Sequence, residues 1–391
     1  MASTPGNQKE KGKKIAFLLA LLFSLSAQAA EPVHFRHRGY RPKISTFKIP
    51  YRPSWVSVVK KGKVFKYKRQ EFSSPALCDN LLFVGADSGI VYGIKKRSGR
   101  KIWRFSTVGS VNATPACDSE KVYFGDDKGI FYALESRTGK EVWRTPLASE
   151  ISTAPAFFQN LLFVATVEGE LSALEAATGQ TVWQKSHPFP DIKMSIRGNS
   201  PPVIDESGRL YIGFADGTFW AVQARDGRLI WERSLSEEKR FADIDAPPLV
   251  FGDRIFIAHF DGPLIAFSKG TGKPFWTADV GTGVKMIAQG EVLYLSDSRG
   301  NLKAIDQQTG KMIWETKIGE GALTAPIIYG NIIAVGLSSS TMNFVDLKTG
   351  GLMFRRFARK GISSNPLLDE DRIYYLSNGG RLYSLKLIPS P

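Results

Sequence analysis

The chain has 391 residues, 43% hydrophobic and 12% aromatic, with 37 Gly and 21 Pro, a composition suited to a globular protein of many short strands and tight turns. Its formal charge of +15 is concentrated at one end: residues 1–29 hold four Lys and one Glu, and residues 31–69 hold twelve basic side chains against Glu31 alone. The remainder is close to neutral, which excludes a basic body built to grip nucleic acid, and after residue 29 no segment is apolar for long enough to cross a bilayer as a helix.

In chain order, Lys9, Lys11, Lys13 and Lys14 form a positive n-region and Ile15 to Leu25 an apolar run. Ala27-Gln28-Ala29 is then a small-residue cleavage signal, so residues 1–29 read as a signal peptide for export. A lipid anchor would need Cys after Leu25-Ser26-Ala27, and Gln28 stands there, so no lipidation Cys is expected at that point. Residues 30–59 form a basic arm in which Arg36, Arg38, Arg41, Lys43 and Arg52 alternate with Pro32, Pro42, Pro50 and Pro53. Such an arm suits a solvated tail or attraction to an anionic membrane surface through residues 31–59.

From residue 60 to 387 one pattern of roughly 40 residues recurs. A clear copy reads Ala133-Leu134-Glu135, Thr138-Gly139-Lys140, Val142-Trp143; the frame returns at Gly179 and Trp183, Gly227 and Trp231, Gly272 and Trp276, and Gly310 and Trp314. The first copy has Gly99 and Trp103, and the seventh keeps Thr349-Gly350 but has Phe354 in place of Trp. Each unit holds four short strands: an innermost one after a Pro such as Pro75 or Pro115, a second apolar one, a third ending in the Ala-Leu pair, and a fourth carrying the Trp. Glycine at the hairpins supplies the positive φ that other residues resist. The Trp reads as a wedge between neighbouring units, buried for its apolar area.

The last unit stops after strands at Arg372 to Leu376 and Arg381 to Leu385, without its outermost strand. Lys61-Gly62-Lys63-Val64-Phe65 has the look of that missing strand, with Phe65 as its wedge 38 residues before Trp103. Closing the ring in this way removes an open edge and predicts an all-β fold, an eight-bladed β-propeller of four-stranded antiparallel blades. Cys78 and Cys117 fall at nearly equivalent points of adjacent innermost strands. Export would permit a disulfide, but a bridge needs Cα atoms within about 7 Å, and two buried free thiols are expected.

Sites for chemistry are sparse. His34, His37, His187 and His259 are scattered without metal-ligand spacing, no phosphate-cradling Gly loop is present, and carboxylates such as Glu135, Glu175 and Asp306 sit at repeat positions. No catalytic residue, metal site or cofactor is expected. The repeat resembles the tryptophan-docking repeat of quinoproteins that bind pyrroloquinoline quinone, which leaves a periplasmic ligand-binding propeller or quinoprotein as the alternative function. Those dehydrogenases are longer and carry two adjacent cysteines at the cofactor, whereas Cys78 and Cys117 lie 39 residues apart.

The repeat lengthens in two neighbouring units, with 48 residues between Trp183 and Trp231 and 45 between Trp231 and Trp276. The extra residues fall in the blade-to-blade connections 184–199 and 232–246, side by side on one face. In extended backbone Met194 and Ile196 point one way, and Asp243 and Asp245 do likewise in the second connection. With Arg197 they suit a protein-docking patch; the plainer alternative is that Arg197 and an aspartate tie the two connections together.

These segments also carry a family resemblance. Met194-Ser195-Ile196-Arg197-Gly198-Asn199-Ser200-Pro201-Pro202 and Asp243-Ile244-Asp245 are similar to paired stretches of the BamB family, propeller lipoproteins of the outer-membrane β-barrel assembly machine. The resemblance covers roughly residues 60–387, including the lost Trp at Phe354. It implies a non-catalytic periplasmic scaffold, monomeric within a hetero-complex. Its partner would be the periplasmic domains of the barrel-inserting subunit, BamA, with Met194, Ile196, Arg197, Asp243 and Asp245 as contacts. The lipid-anchor Cys of that family has no counterpart at the signal cleavage site.

Overall fold

A computed structural model describes residues 51–59, 73–188, 198–235, 243–260 and 262–388. Residues 1–50, which hold the expected signal peptide and most of the basic arm, lie outside them. The described residues form eight four-stranded antiparallel sheets, each with its strands in chain order except the last. Blades 1 to 7 span residues 76–106, 116–146, 156–186, 203–234, 249–278, 287–317 and 327–357. Blade 8 joins the strands Leu367–Asp369, Arg372–Ser377 and Arg381–Leu387 to an outermost strand from the other end of the sequence.

Each sheet is covered on both faces, so its second strand is buried at nearly every residue rather than at alternate ones. Leu81–Gly85, Lys121–Gly125 and Leu161–Ala165 are each half-buried at the first residue and buried at the next four. The core is accordingly divided into inter-blade layers: Phe83 and Val91 of blade 1 meet Val122, Phe124 and Leu134 of blade 2. Tyr374, Leu376 and Leu382 of blade 8 meet Leu82, Val84 and Ile94 of blade 1, which completes the ring.

The tryptophans are wedges. Trp103 Nε1 donates to Ser136 O of the next blade at 2.8 Å, and Trp143, Trp183, Trp231 and Trp276 repeat the bond to Ala176, Ala224, Lys269 and Gln307. Gly139 shows why Thr-Gly accompanies the Trp: its φ is 71°, and a Cβ there would lie 2.6 Å from the Trp103 ring. The glycine therefore serves the turn and makes room for the preceding blade's indole.

The ring is closed by an N-terminal strand, but not the one expected. Tyr51–Val58 pairs antiparallel with Arg381–Leu387, from Tyr51 opposite Leu387 to Val58 opposite Arg381. Lys61–Phe65 lies outside the described residues, and its wedge role belongs to Trp55, which donates to Lys96 O at 2.9 Å and lies against Gly99. The propeller thus takes in residues 51–58 of what the sequence presents as the basic arm. The physical reason is the connection that follows: 59–75 is long, so the interval from Trp55 to Trp103 exceeds the common repeat.

The second correction is the cysteine pair. Cys78 and Cys117 form a disulfide, with Cα atoms 6.2 Å apart. Both end the innermost strand of their blade, Ala76–Cys78 and Ala116–Cys117, and neighbouring strands at the narrow centre of a ring come within bridging range.

Strand direction gives the propeller two rims. On the hairpin rim lie the turns between the first and second and between the third and fourth strands, such as 79–80 and 96–100. On the connection rim lie the turns between the second and third strands and every blade-to-blade connection.

Candidate functional site

Most connections are short: 107–115, 147–155, 318–326 and 358–366. The connections 187–202 and 235–248, on either side of blade 4, are longer and emerge together on the connection rim. Within them, 189–197 and 236–242 lie outside the described residues, and Met194, Ile196 and Arg197 with them. What the structure supplies is the anchoring of both connections.

The first is clamped at both ends across the joint of blades 3 and 4. At its start His187 is buried, stacks on Phe214 at 4.4 Å, meets Trp220 edge-on at 5.1 Å, and places Nε2 2.8 Å from Asp216 Oδ2. Burial alone would raise the Asp216 carboxyl, but bonds from His187 and Thr218 override it and hold the group below its ordinary range. At its end Gly198 has φ 90°, where an L side chain is strained. Asn199 follows, buried, donating Nδ2–H to Thr166 O at 2.8 Å and accepting from Ala215 N at 3.0 Å. One amide side chain thereby joins the rim turns of two blades.

Ser200 has a humbler part. Its Oγ accepts from Gly213 N at 2.8 Å, as Ser73 accepts from Gly85 N and Thr324 from Gly336 N, so it is a position of the repeat.

The second connection returns through Asp243, Ile244 and Asp245. Ile244 is fully buried, donates its N–H to Phe214 O at 3.3 Å and packs on Gly213; Val111, Ile151 and Ile362 do the same over Gly85, Gly125 and Gly336. The centre of this triplet is therefore the repeat's own anchor. The two aspartates differ: Asp243 is only 4% exposed, whereas Asp245 is half-buried. Asp243 is thus not displayed on the rim as the sequence suggests.

The structure therefore brings Asp243 and Asp245 to one rim beside the clamped end of the first connection. Sequence reasoning missed His187, Asp216 and Asn199. The available signal was that Asn199 directly precedes a repeat Ser, at the edge of an insertion where an unusual polar residue has a reason to be fixed. Among the described residues, no group of three or more His, Cys, Asp or Glu could hold a metal ion.

Comparison with known proteins agrees with this anatomy. The family model described as outer membrane protein assembly factor BamB matches residues 87–316 and 298–387. The outer membrane protein assembly factor BamB of Aliivibrio fischeri is 34% identical over 202 residues, 50% of this chain and 52% of that protein. The chain spans about half the length of the curated relatives it matches. The crystal structure of BamB from Moraxella catarrhalis superposes with a TM-score of 0.76 at 22% identity, over 86% of this chain and 100% of that one. The quinohemoprotein alcohol dehydrogenase of Comamonas testosteroni gives 0.71 at 15% identity, over 88% and 78%, a likeness of fold alone. With more than half of its residues under the family model, the chain belongs to the outer membrane protein assembly factor BamB family.

Proposed function

We propose that this protein is a non-catalytic periplasmic scaffold in the assembly of outer-membrane β-barrel proteins, exported by residues 1–29. It docks through the connection rim beside blade 4 onto the periplasmic domains of the barrel-inserting subunit, BamA or its equivalent. The observation that carries this is the pair of adjacent long connections, one of them clamped at both ends by His187 and Asn199. Anchoring of this kind lowers the ordering cost of binding without using the residues in the middle of the segment. Met194 and Ile196 supply apolar contact, Arg197 the charge, and Asp245 a half-buried carboxylate. Asp243, being buried, lies behind the contact face and not on it.

The test is co-purification with the barrel-inserting subunit. Arg197→Ala and Asp245→Ala are each expected to lower binding by about 2–5 kcal/mol if their charges pair with the partner, with a cooperative melting transition retained to show that the propeller still folds. Wild-type recovery of the partner by both variants would overturn the docking assignment.

A further inference from the structure

On the hairpin rim, between blades 1 and 2, lies an open cleft of about 940 Å³. Its walls carry Lys95, Arg100, Lys101 and Arg137, all exposed, against one carboxylate, Asp79. The segment from 95 to 104 has six basic residues and no acidic one. Two of the cations are already engaged: Lys96 pairs with Asp369 at 2.6 Å, and Lys101 Nζ donates to Val59 O at 3.2 Å above the Tyr92 ring. Lys95, Arg100 and Arg137 form no ion pair among the described residues.

The repeat does not require this charge. In blade 3 the same turn reads Ala176, Ala177, Thr178, Gly179, Gln180 and receives its wedge Trp equally well. Three unpaired cations converging on a concave surface suit an anion, and two guanidinium groups offer the forked donors that fit a phosphate. Where the chain enters the propeller also matters. Tyr51, opposite Leu387, stands on this same rim, and the sequence just before it holds Arg36, Arg38, Arg41, Lys43 and Lys48. A plane of anions can satisfy both basic regions at once, which an isolated acidic peptide cannot.

We propose that the cleft between blades 1 and 2 takes the phosphate of an anionic phospholipid headgroup and seats the hairpin rim on a membrane surface. The proposal is independent of docking, which uses the opposite rim.

Sedimentation with vesicles of phosphatidylcholine, with and without phosphatidylglycerol, tests it on the chain from residue 30 onward. Binding is expected only with phosphatidylglycerol and is expected to weaken as salt rises. Each basic residue near such a surface is worth roughly fivefold, so Arg100→Gln with Arg137→Gln should weaken binding about 30-fold at an unchanged melting temperature. Arg225→Gln with Arg228→Gln, at the same turn of blade 4, should change it less than about threefold. No binding to phosphatidylglycerol, wild-type binding by the first pair, or an equal loss in the second would overturn the proposal. Release from vesicles by soluble polyglutamate at low concentration would overturn it in favour of an acidic peptide.

Discussion

The joint between blades 1 and 2 and the joint between blades 7 and 8 solve the same packing problem differently. At the first, Trp103 reaches across to Ser136 O and lies against Gly139, both supplied by the turn before blade 2's outer strand. Blade 8 has no such turn, because its outer strand arrives from the other end of the chain. The wedge there is Phe354, and Tyr51 fills the space, 5.5 Å from Phe354 and 5.3 Å from Phe344. Arg356 then bridges the joint: its guanidinium lies 5.3 and 5.7 Å from the Tyr51 and Tyr383 rings, and Nε donates to Tyr375 Oη at 3.1 Å. Burial and neighbouring tyrosines push the Tyr375 hydroxyl up to about 12 against the opposing pull of Arg356, so it stays protonated at any ordinary pH. The difference teaches that a repeat residue is kept by its receiver: where the glycine turn is missing, so is the tryptophan.

That comparison can be broken, most forcefully at the closing strand. Removal of residues 30–58 is expected to strip blade 8 of its outer strand and Tyr51 and to lower the melting temperature by more than about 10 °C or prevent folding. Removal of 30–48 should leave it unchanged within about 2 °C, and equal values for the two would refute closure by Tyr51–Val58. Trp55→Ala should cost about 3–5 kcal/mol in denaturant unfolding, since it empties a wedge whose receiver, Gly99, stays behind; a loss below about 1 kcal/mol would mean that Trp55 is no wedge. Cys78→Ser with Cys117→Ser should cost about 2–4 kcal/mol, the usual effect of a bridge over a loop of this size. A smaller change sharpens the lesson. Phe354→Trp restores the repeat residue yet should be neutral or destabilising by about 1–3 kcal/mol, because Tyr51 already fills the space. A stabilised variant would show that the receiver does not decide.

Blade number, strand order within blades 1 to 7 and seven of the eight wedge positions were legible because nearly every repeat carries its own Trp and Gly. The closing strand was misread because Lys61 to Phe65 imitates the repeat in both spelling and spacing. Trp55 has no glycine turn before it, and only its 48-residue interval to Trp103, the same as from Trp183 to Trp231, hinted at its place. The disulfide was missed because sequence gives repeat equivalence but not the distance between inner strands, which ring geometry sets. At the candidate site, insertion length located the connections. Alternation grouped Asp243 with Asp245 but could not show that Asp243 is buried while Asp245 is half-buried. The clamp of His187 and Asn199 was illegible because its partners, Asp216, Thr166 and Ala215, lie on other strands and turns.

The pairing of Tyr51–Val58 with Arg381–Leu387 also has a consequence in time. Among the propeller's strands this one is synthesised first, yet its partner is synthesised after all the others. The thermodynamic cost of joining such distant segments grows only logarithmically with the span, but the search is slow because the contact is among the most non-local the chain can form. Seven blades can assemble by local hairpins while the eighth waits. Throughout that wait Arg381–Leu387 presents an unpaired edge, so the rate of closure, more than its free energy, sets how long the nascent propeller is open to pairing with another chain.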